Sequence, residues 1–180
     1  MTEKPVVQNA DYYIEALGLL PHPEGGFYKE VYRSEEAIAR EALPPRFSGD
    51  RAFSTSILYL LRQHDISALH AINQDEVWHF YAGSSVEIHV FSDRREYTRL
   101  VLGSGPGAGA LFQAVVPAGS WFGAHLKSAS DNNAFALVGC TVAPGFDFAD
   151  FRLADTEDLK AKFPRHHEII QRLSPGREME

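Results

Sequence analysis

The residues best suited to chemistry lie in one segment, 70–83, which reads HAINQDEVWHFYAG. It begins with an imidazole at His70, and a carboxylate follows six residues later at Glu76. An imidazole titrates close to neutral pH, so it can take up and release protons under physiological conditions. A buried carboxylate needs a partner, because an unpaired charge is costly to remove from water. We therefore predict a catalytic pair in which His70 is the base and Glu76 orients it or holds a ligand hydroxyl.

Side-chain alternation places both groups on one face of neighbouring strands. In a strand, every second side chain points to the same face. If the strands that carry His70 and Glu76 pair across the turn at 73–75, both groups point into the same interior. Aromatic side chains of these strands and of a partner stretch, 117–122, then wall the site and are predicted to contact the ligand: Trp78, Phe80 and Phe122.

A strand predicted at 27–33 has polar and apolar side chains on both faces, which is typical of a strand that lines a cavity. Three of its side chains are candidate ligand contacts: Tyr28, Glu30 and Arg33. Glu30 and Arg33 lie on opposite faces of a regular strand, so we do not expect both to enter the pocket. Arg33 and Lys29 are the two cations of this strand that could pair with Glu76.

Helices are predicted near both ends of the chain, at 10–17 and after Thr156 as far as 173. Asn9 or Asp11 caps the first helix and Gly18 ends it, since glycine readily adopts the left-handed conformation found there. Thr156 is predicted to cap the second helix, and Pro164 interrupts it.

Between the helices, segments rich in β-branched and aromatic residues alternate with turns. Strands are predicted at 53–61, 67–72, 76–81, 86–91, 96–102, 112–116, 120–127 and 134–142, with a final extended segment at 146–153. Residues 1–8 are expected to be a loose tail, 34–51 a surface excursion and 131–133 a turn. Many short strands with regular turns predict an all-β fold, an antiparallel jelly-roll barrel, in a single domain over 1–180 with its core at about 10–165.

Composition excludes several classes of function. The net charge of −7 and the pI of about 5.6 argue against a nucleic acid or an anionic membrane as partner. No apolar run approaches the ~20 residues of a membrane helix, and the N-terminus lacks the apolar core of a signal peptide, so a cytoplasmic location is expected. Cys140 is the single cysteine, which excludes an intrachain disulfide, and we expect it to be a small core residue.

Several other histidines are predicted to point away from the pocket. His79 lies on the face opposite to Glu76, and His125 lies opposite to Phe122. His166 and His167, in the last helical piece, are expected to face solvent.

The spacing of these residues resembles the two sequence motifs of the cupin superfamily. The first motif, G-x5-H-x-H-x3/4-E-x6-G, is matched at His70, Glu76 and Gly83. The second, G-x5-P-x-G-x2-H-x3-N, is matched at Pro117 and Gly119. The resemblance implies a jelly-roll fold with a pocket in its interior.

Two of the four metal ligands that cupins use are replaced here by hydrocarbon, at Ile72 and Phe122. Transition metals require three or four nitrogen, oxygen or sulfur donors, and only His70 and Glu76 remain. We therefore predict no cofactor, with a weak divalent-metal site at His70 and Glu76 as the alternative.

More closely, the chain resembles the cupin family named domain of unknown function 985, or cupin type 5. The resemblance covers nearly all of 10–165 and is carried by HPEGG at 22–26, RS at 33–34, STSILY at 54–59, His70, DEVWHFYAG at 75–83, PAGSWFGA at 117–124 and VGCTVAPGFDF at 138–148. It implies a homodimeric jelly roll similar to the sugar-nucleotide epimerases of deoxysugar synthesis. The implied partners are a small, sugar-like ligand and a second copy of the chain.

Three functions remain open at this point. The leading one is a small-molecule-binding cupin that acts as an isomerase or epimerase on a sugar-like polar ligand, with His70 as base next to a carbonyl. The first alternative is a metal-dependent cupin oxygenase that uses His70, Glu76 and a further ligand. The second is a non-catalytic, ligand-binding homodimer.

Overall fold

A computed structural model describes residues 8–127 and 132–174, in which thirteen strands form two packed antiparallel sheets and one short ribbon. The larger sheet has the order β1 (Leu20–Pro21), β2 (Phe27–Arg33), β5 (Thr55–Arg62), β12 (Phe135–Ala143), β7 (Asp75–Gly83) and β10 (Gln113–Val116). The smaller sheet has the order β13 (Arg152–Leu153), β6 (Ile66–Ala71), β11 (Trp121–Leu126), β8 (Val86–Phe91) and β9 (Tyr97–Leu102). The ribbon pairs β3 (Ala37–Ile38) with β4 (Arg51–Ala52). Residues 1–7 and 131, for which a tail and part of a turn are predicted, lie outside the described residues.

The main core lies between the two sheets, as the alternation along the strands dictates. In β8, Val86, Ile88 and Val90 point into it, and in β11 the inward residues include Phe122 and Leu126. The predicted all-β jelly roll is confirmed, although its sheets face each other as two layers and do not close into a barrel.

The helices cover the outer faces of the sheets. The first, α1 (Ala10–Leu17), begins with Asn9 as its cap and ends at Gly18 with φ 64°, as predicted. The C-terminal helices α2 (Thr156–Lys162) and α3 (His167–Arg172) pack on the outer face of the smaller sheet. The prediction that Thr156 caps α2 is wrong: the carboxylate of Asp155 accepts a hydrogen bond from the Asp158 N–H, so the helix begins one residue earlier. Within the described residues, no helix has the length and apolarity that a membrane span requires.

The strands that carry His70 and Glu76 do not pair with each other, contrary to the prediction. They belong to different sheets, so the turn at 73–75 is a crossover between the layers. Gln74 fixes this crossover, because its buried side-chain amide donates to the Gly145 carbonyl and to Asp150. The strand β6 pairs instead with β11, where Phe122 lies opposite His70.

Two loop segments are more ordered than the sequence indicates. The excursion at 34–51 is partly buried, with the Phe47 side chain in the interior and the Arg51 guanidinium in a bidentate ion pair with Asp150 at 2.7 Å. The segment 146–153 is not one extended strand, because Asp147 accepts a hydrogen bond from the Ala149 N–H and starts a 3-10 helix at Phe148–Asp150. The ion pair between Arg51 and Asp150 therefore connects the segment 34–51 to the segment 146–153.

Candidate functional site

A cavity of about 500 Å³ lies between the sheets. Its walls come from β2, β5, β6, β7 and β12, and from the loops at 22–24 and 146–148. Five of the predicted site residues line it: Tyr28, Glu30, Arg33, His70 and Glu76. His70 and Glu76 thus approach the same space from opposite sheets.

The hydrogen bonds of His70 define where its protons lie. Its Nδ1 is 2.7 Å from the Ala68 carbonyl oxygen, which only accepts, so Nδ1 carries a hydrogen. Its Nε2 lies 3.2 Å from Oε2 of Glu24. When Nε2 is also protonated, His70 and Glu24 form a buried imidazolium–carboxylate ion pair.

Glu24 is held at this position by the turn at 22–26. Gly25 has φ 104°, and a Cβ there would lie 2.2 Å from the Ile66 carbonyl oxygen, so the close approach to β6 requires glycine. The Ala68 N–H donates to the Glu24 carbonyl at 2.8 Å, and the Tyr59 hydroxyl donates to the Gly25 carbonyl at 2.7 Å. Glu24 is not among the predicted site residues, although its segment is part of the family resemblance. The available signal was a carboxylate followed directly by two glycines, inside a segment of the family resemblance.

Glu76 lies on β7 with 8% of its surface exposed. Burial raises the pKa of its carboxyl to about 7, although the charge of His70 opposes the shift, Glu24 adds to it and a hydrogen bond from the Cys140 thiol opposes it. At neutral pH this group is therefore divided between its acid and its carboxylate form, as an acid–base catalyst requires. Burial together with Glu76 raises the pKa of Cys140 well above its usual value, so the thiol stays protonated and is not a nucleophile.

Glu30 and Arg33 both line the cavity, so the prediction that they point to opposite faces is wrong. The pairing of β2 with β5 shifts between Glu30 and Tyr32, and this β-bulge inserts one residue into the alternation. The two side chains then meet in a bidentate ion pair, with Nη2 of Arg33 2.6 Å from Oε2 of Glu30. Lys29, the other cation considered as a partner of Glu76, donates a hydrogen bond from Nζ to the Leu17 carbonyl oxygen.

The other three predicted contacts, Trp78, Phe80 and Phe122, pack in the core and are not among the residues that line the cavity. Trp78 lies edge-on to Tyr59, with ring centroids 5.9 Å apart. The Phe122 ring lies 4.1 Å from the His70 ring and is 1% exposed, so it supports the imidazole from behind.

The aromatic wall of the cavity comes from residues that the sequence analysis did not select. Besides Tyr28 it consists of Tyr59, Phe146, Phe148 and Phe151. Three of these belong to the segment that was expected to be a strand. Their approach to the cavity depends on the 3-10 turn and on the ion pair of Asp150, which no local pattern reveals.

The metal that cupin motifs imply does not fit the donors of this cavity. Ile72 and Phe122 stand at two of the four ligand positions, and Nε2 of His70 is already in contact with Glu24. Among the described residues, the one set of three histidine, cysteine or carboxylate ligand atoms within 4.8 Å of one another lies elsewhere, on the outer face of the smaller sheet. We therefore derive no catalytic step through a metal in the cavity.

Two facing antiparallel sheets with a cavity between them are consistent with the cupin fold. The family model described as "Cupin superfamily (DUF985)" matches residues 11–154, and the chain belongs to this family. It is 40% identical to SO0799 of Shewanella oneidensis over 94% of this chain and 99% of that one, with a TM-score of 0.82. It is 32% identical to a hypothetical protein of Leishmania major over 94% and 100% of the two chains, also with a TM-score of 0.82.

A more distant structure shares the fold alone. Oxalate decarboxylase of Bacillus subtilis is 17% identical, with a TM-score of 0.51 over 88% of this chain and 37% of that one. No curated protein matches the chain.

Proposed function

We propose that this cupin binds a small, uncharged, sugar-like ligand in its cavity and moves a proton on it, as an isomerase or epimerase. The observation that carries the proposal is the contact of 3.2 Å between Glu24 and His70, in the same cavity as a Glu76 carboxyl whose pKa is about 7. Two proton-exchanging groups on opposite walls are what a proton shift at a carbon atom requires.

The size and charge of the cavity support this class of ligand. A volume of about 500 Å³ is in the range of small-molecule sites. Its walls carry four carboxylates, at Glu24, Glu30, Glu76 and Asp147, and a single arginine or lysine, Arg33, which already pairs with Glu30. Phosphates need free cations, so the cavity favours hydroxyl groups over a sugar nucleotide.

The groups on the two walls of the cavity have different roles in the reaction. The carboxylate form of Glu76 accepts the proton from the carbon next to a carbonyl, while a protonated Nε2 of His70, beside Glu24, gives its proton to the carbonyl oxygen. On a carbon that carries a hydroxyl, this step gives an enediol. Glu76 then returns its proton to the former carbonyl carbon while the other hydroxyl gives its proton to His70, which yields the isomer. Protonation of the original carbon on its opposite face by a water molecule that takes up the Glu76 proton, with return of the first hydroxyl proton to His70, yields the epimer. His70 was the predicted base. We assign it to Glu76, because both nitrogens of His70 are engaged and the Glu76 pKa matches neutral pH.

The test is deuterium uptake from D₂O at the carbon next to the carbonyl in a panel of unphosphorylated aldoses and ketoses, followed by proton NMR. We expect uptake with at least one sugar, and a loss of about a hundredfold or more in Glu76→Gln and in His70→Gln. Glu157→Gln is the matched control, because it makes the same chemical change on an exposed side chain of α2, away from the cavity.

Saturable sugar binding without deuterium uptake would instead identify a non-catalytic binding protein. A requirement for a phosphate group on the sugar would contradict the charge argument. Uptake that survives in Glu76→Gln and His70→Gln would contradict the assignment of both residues.

We also propose that the protein is a homodimer, as its family resemblance implies. Exposed apolar side chains lie along β7 and beside its edge neighbour β10, at Tyr81, Phe112 and Val115. A second copy of the chain is the occupant that we propose for this face. Light scattering on the purified protein should give twice the chain mass, and Val115→Lys should reduce it to one chain mass. A single-chain mass for the unmodified protein would contradict the proposal.

A further inference from the structure

We propose that the outer face of the smaller sheet holds a divalent transition-metal ion of the Zn²⁺ class, bound by Glu87, His89 and His125. This site is separate from the cavity. Glu87 and His89 alternate along β8 with the inward-facing Ile88, and His125 alternates along β11 with inward-facing neighbours. The three side chains therefore meet on the face that α2 and α3 cover, and none of them lines the cavity.

The distances between the three ligand atoms fit a single ion. Nε2 of His89 lies 3.1 Å from Nε2 of His125, and Oε2 of Glu87 lies 3.9 Å from each of them. In the plane of the three atoms, the equidistant point is about 2.1 Å from each, which matches zinc–nitrogen and zinc–oxygen bonds. A water molecule can supply the fourth ligand, as in other sites with two histidines and one glutamate.

The remaining ring nitrogens already have the partners that a metal-bound histidine needs. Nδ1 of His125 donates to the Leu126 carbonyl at 2.7 Å, so Nε2 of the neutral ring has a lone pair. Nδ1 of His89 is 2.8 Å from the Tyr97 hydroxyl. Without an ion, Nε2–H of His89 donates to His125 and the Tyr97 hydroxyl donates to Nδ1. When the ion binds, the His89 proton moves to Nδ1 and the Tyr97 oxygen accepts it.

Burial and charge set the environment of the site. His89 and His125 are each 4% exposed, and the Glu87 side chain is 13% exposed. Arg99 contacts Oε1 of Glu87 at 3.5 Å, which leaves Oε2 directed at the imidazoles. A histidine pair that served packing alone would need only its own hydrogen bond. A carboxylate oxygen equidistant from both rings is the feature that an ion explains.

The test uses the full-length, tag-free protein after chelator treatment and dialysis. Calorimetric titration with Zn²⁺ should show one ion per chain, and binding should raise the melting temperature. Co²⁺ should give the visible absorption of a four-coordinate ion, which reports the ligand geometry independently of activity.

Substitutions test whether Zn²⁺ binds to Glu87, His89 and His125. Glu87→Gln and His89→Gln should each weaken Zn²⁺ affinity at least tenfold, and Tyr97→Phe should weaken it by about tenfold to a hundredfold through the orientation of His89. His70→Gln and Glu76→Gln are the matched controls and should bind as the unmodified protein does. If His89→Gln does not fold, as judged by circular dichroism, Glu87→Gln and the Co²⁺ spectrum decide.

The absence of saturable Zn²⁺ binding would overturn the proposal. So would binding that persists in Glu87→Gln and disappears in the cavity variants, because the ion would then lie between the sheets.

Discussion

Oε2 of Glu24 lies 3.2 Å from Nε2 of His70, and Oε1 of the same carboxylate accepts a hydrogen bond of 2.8 Å from Ser67. The turn that carries Glu24 is bonded through its backbone to β6, the strand of both partners. The imidazole is thus fixed by the preceding Ala68 carbonyl on one side and by a distant carboxylate on the other. This contact connects the loop at 22–26 to the imidazole in the cavity.

The first prediction concerns the stability that this contact provides. Glu24→Ala leaves the Ser67 hydroxyl without its acceptor and a protonated His70 without its counter-charge, so it should lower the free energy of unfolding by about 3 kcal/mol. Glu30→Ala is the matched control: it breaks an ion pair of half-exposed side chains with Arg33 and should cost less than about 1 kcal/mol. Urea denaturation measures both values. Equal costs for the two variants would show that the contact of Glu24 with His70 does not stabilise the fold.

Much of the fold could be predicted because its signals are local. The cap at Asn9, the left-handed Gly18 and the alternation in β8 depend only on neighbouring residues, and the structure agrees with each. The prediction that β6 and β7 pair was wrong for a different reason. The partner of a strand is chosen by contacts distant in sequence, here those of Gln74 with Gly145 and Asp150.

The candidate site could likewise be predicted only where its signals are local. His70 and Glu76 could be selected by residue type and motif spacing, but the ring of partners around them could not. A single inserted residue in β2 brings Glu30 and Arg33 to the same side, and no feature of the sequence marks that bulge. His125 was correctly predicted to point away from Phe122, yet its meeting with His89 depends on the register between β8 and β11.

The second prediction is a pH dependence that arises from Glu76. Its pKa is raised from 4.5 to about 7 in the folded protein, mainly by burial. The folded state therefore favours the protonated form, and the stability that protonation provides is present at acidic pH and is lost as the pH rises through about 7. Between about pH 4.5 and about pH 7, the free energy of unfolding should fall by up to about 3 kcal/mol because of this group.

Glu76→Gln removes this titration while it retains the shape of the side chain. Urea denaturation at about pH 5 and about pH 8 should show that the variant gains stability relative to the unmodified protein as the pH rises. Glu30→Gln makes the same change at a half-exposed carboxylate of the same cavity and is the control for the loss of a cavity charge. A constant difference between Glu76→Gln and the unmodified protein at both pH values would contradict the raised pKa.

The third prediction concerns the thiol of Cys140, which is 5% exposed and lies in the wall of the cavity. Because burial and Glu76 raise its pKa well above the usual value, the reactive thiolate is scarce at neutral pH. Iodoacetamide should label the folded protein at least a hundredfold more slowly than the urea-unfolded chain, as measured by intact mass. Labelling of the folded protein at the rate of the unfolded chain would show that the cavity activates the thiol.

The fourth prediction tests the ion pair that holds the aromatic wall. Burial alone would raise the pKa of Asp150, but hydrogen bonds from Arg51, Gln74 and Asn73 outweigh it and hold the pKa below its usual value. The stability that this carboxylate provides is therefore present above its unfolded pKa and is lost as the pH falls. Asp150→Asn leaves the Arg51 guanidinium buried without a counter-charge and should cost about 3–5 kcal/mol.

A double variant tests whether the loss of stability comes from the missing ion pair or from one buried charge left without a partner. Arg51→Met combined with Asp150→Leu removes both charges, so it should be less destabilising than Asp150→Asn alone, since apolar groups of similar size need no partner. Both variants should weaken binding of the proposed ligand, because Asp150→Asn leaves Gln74 and Asn73 one acceptor oxygen in place of two, and the double variant leaves them none beside Phe151. Urea denaturation and ligand titration measure the two effects. A double variant as unstable as the single one would show that the hydrogen bonds of Gln74 and Asn73, and not the ion pair, hold this wall in place.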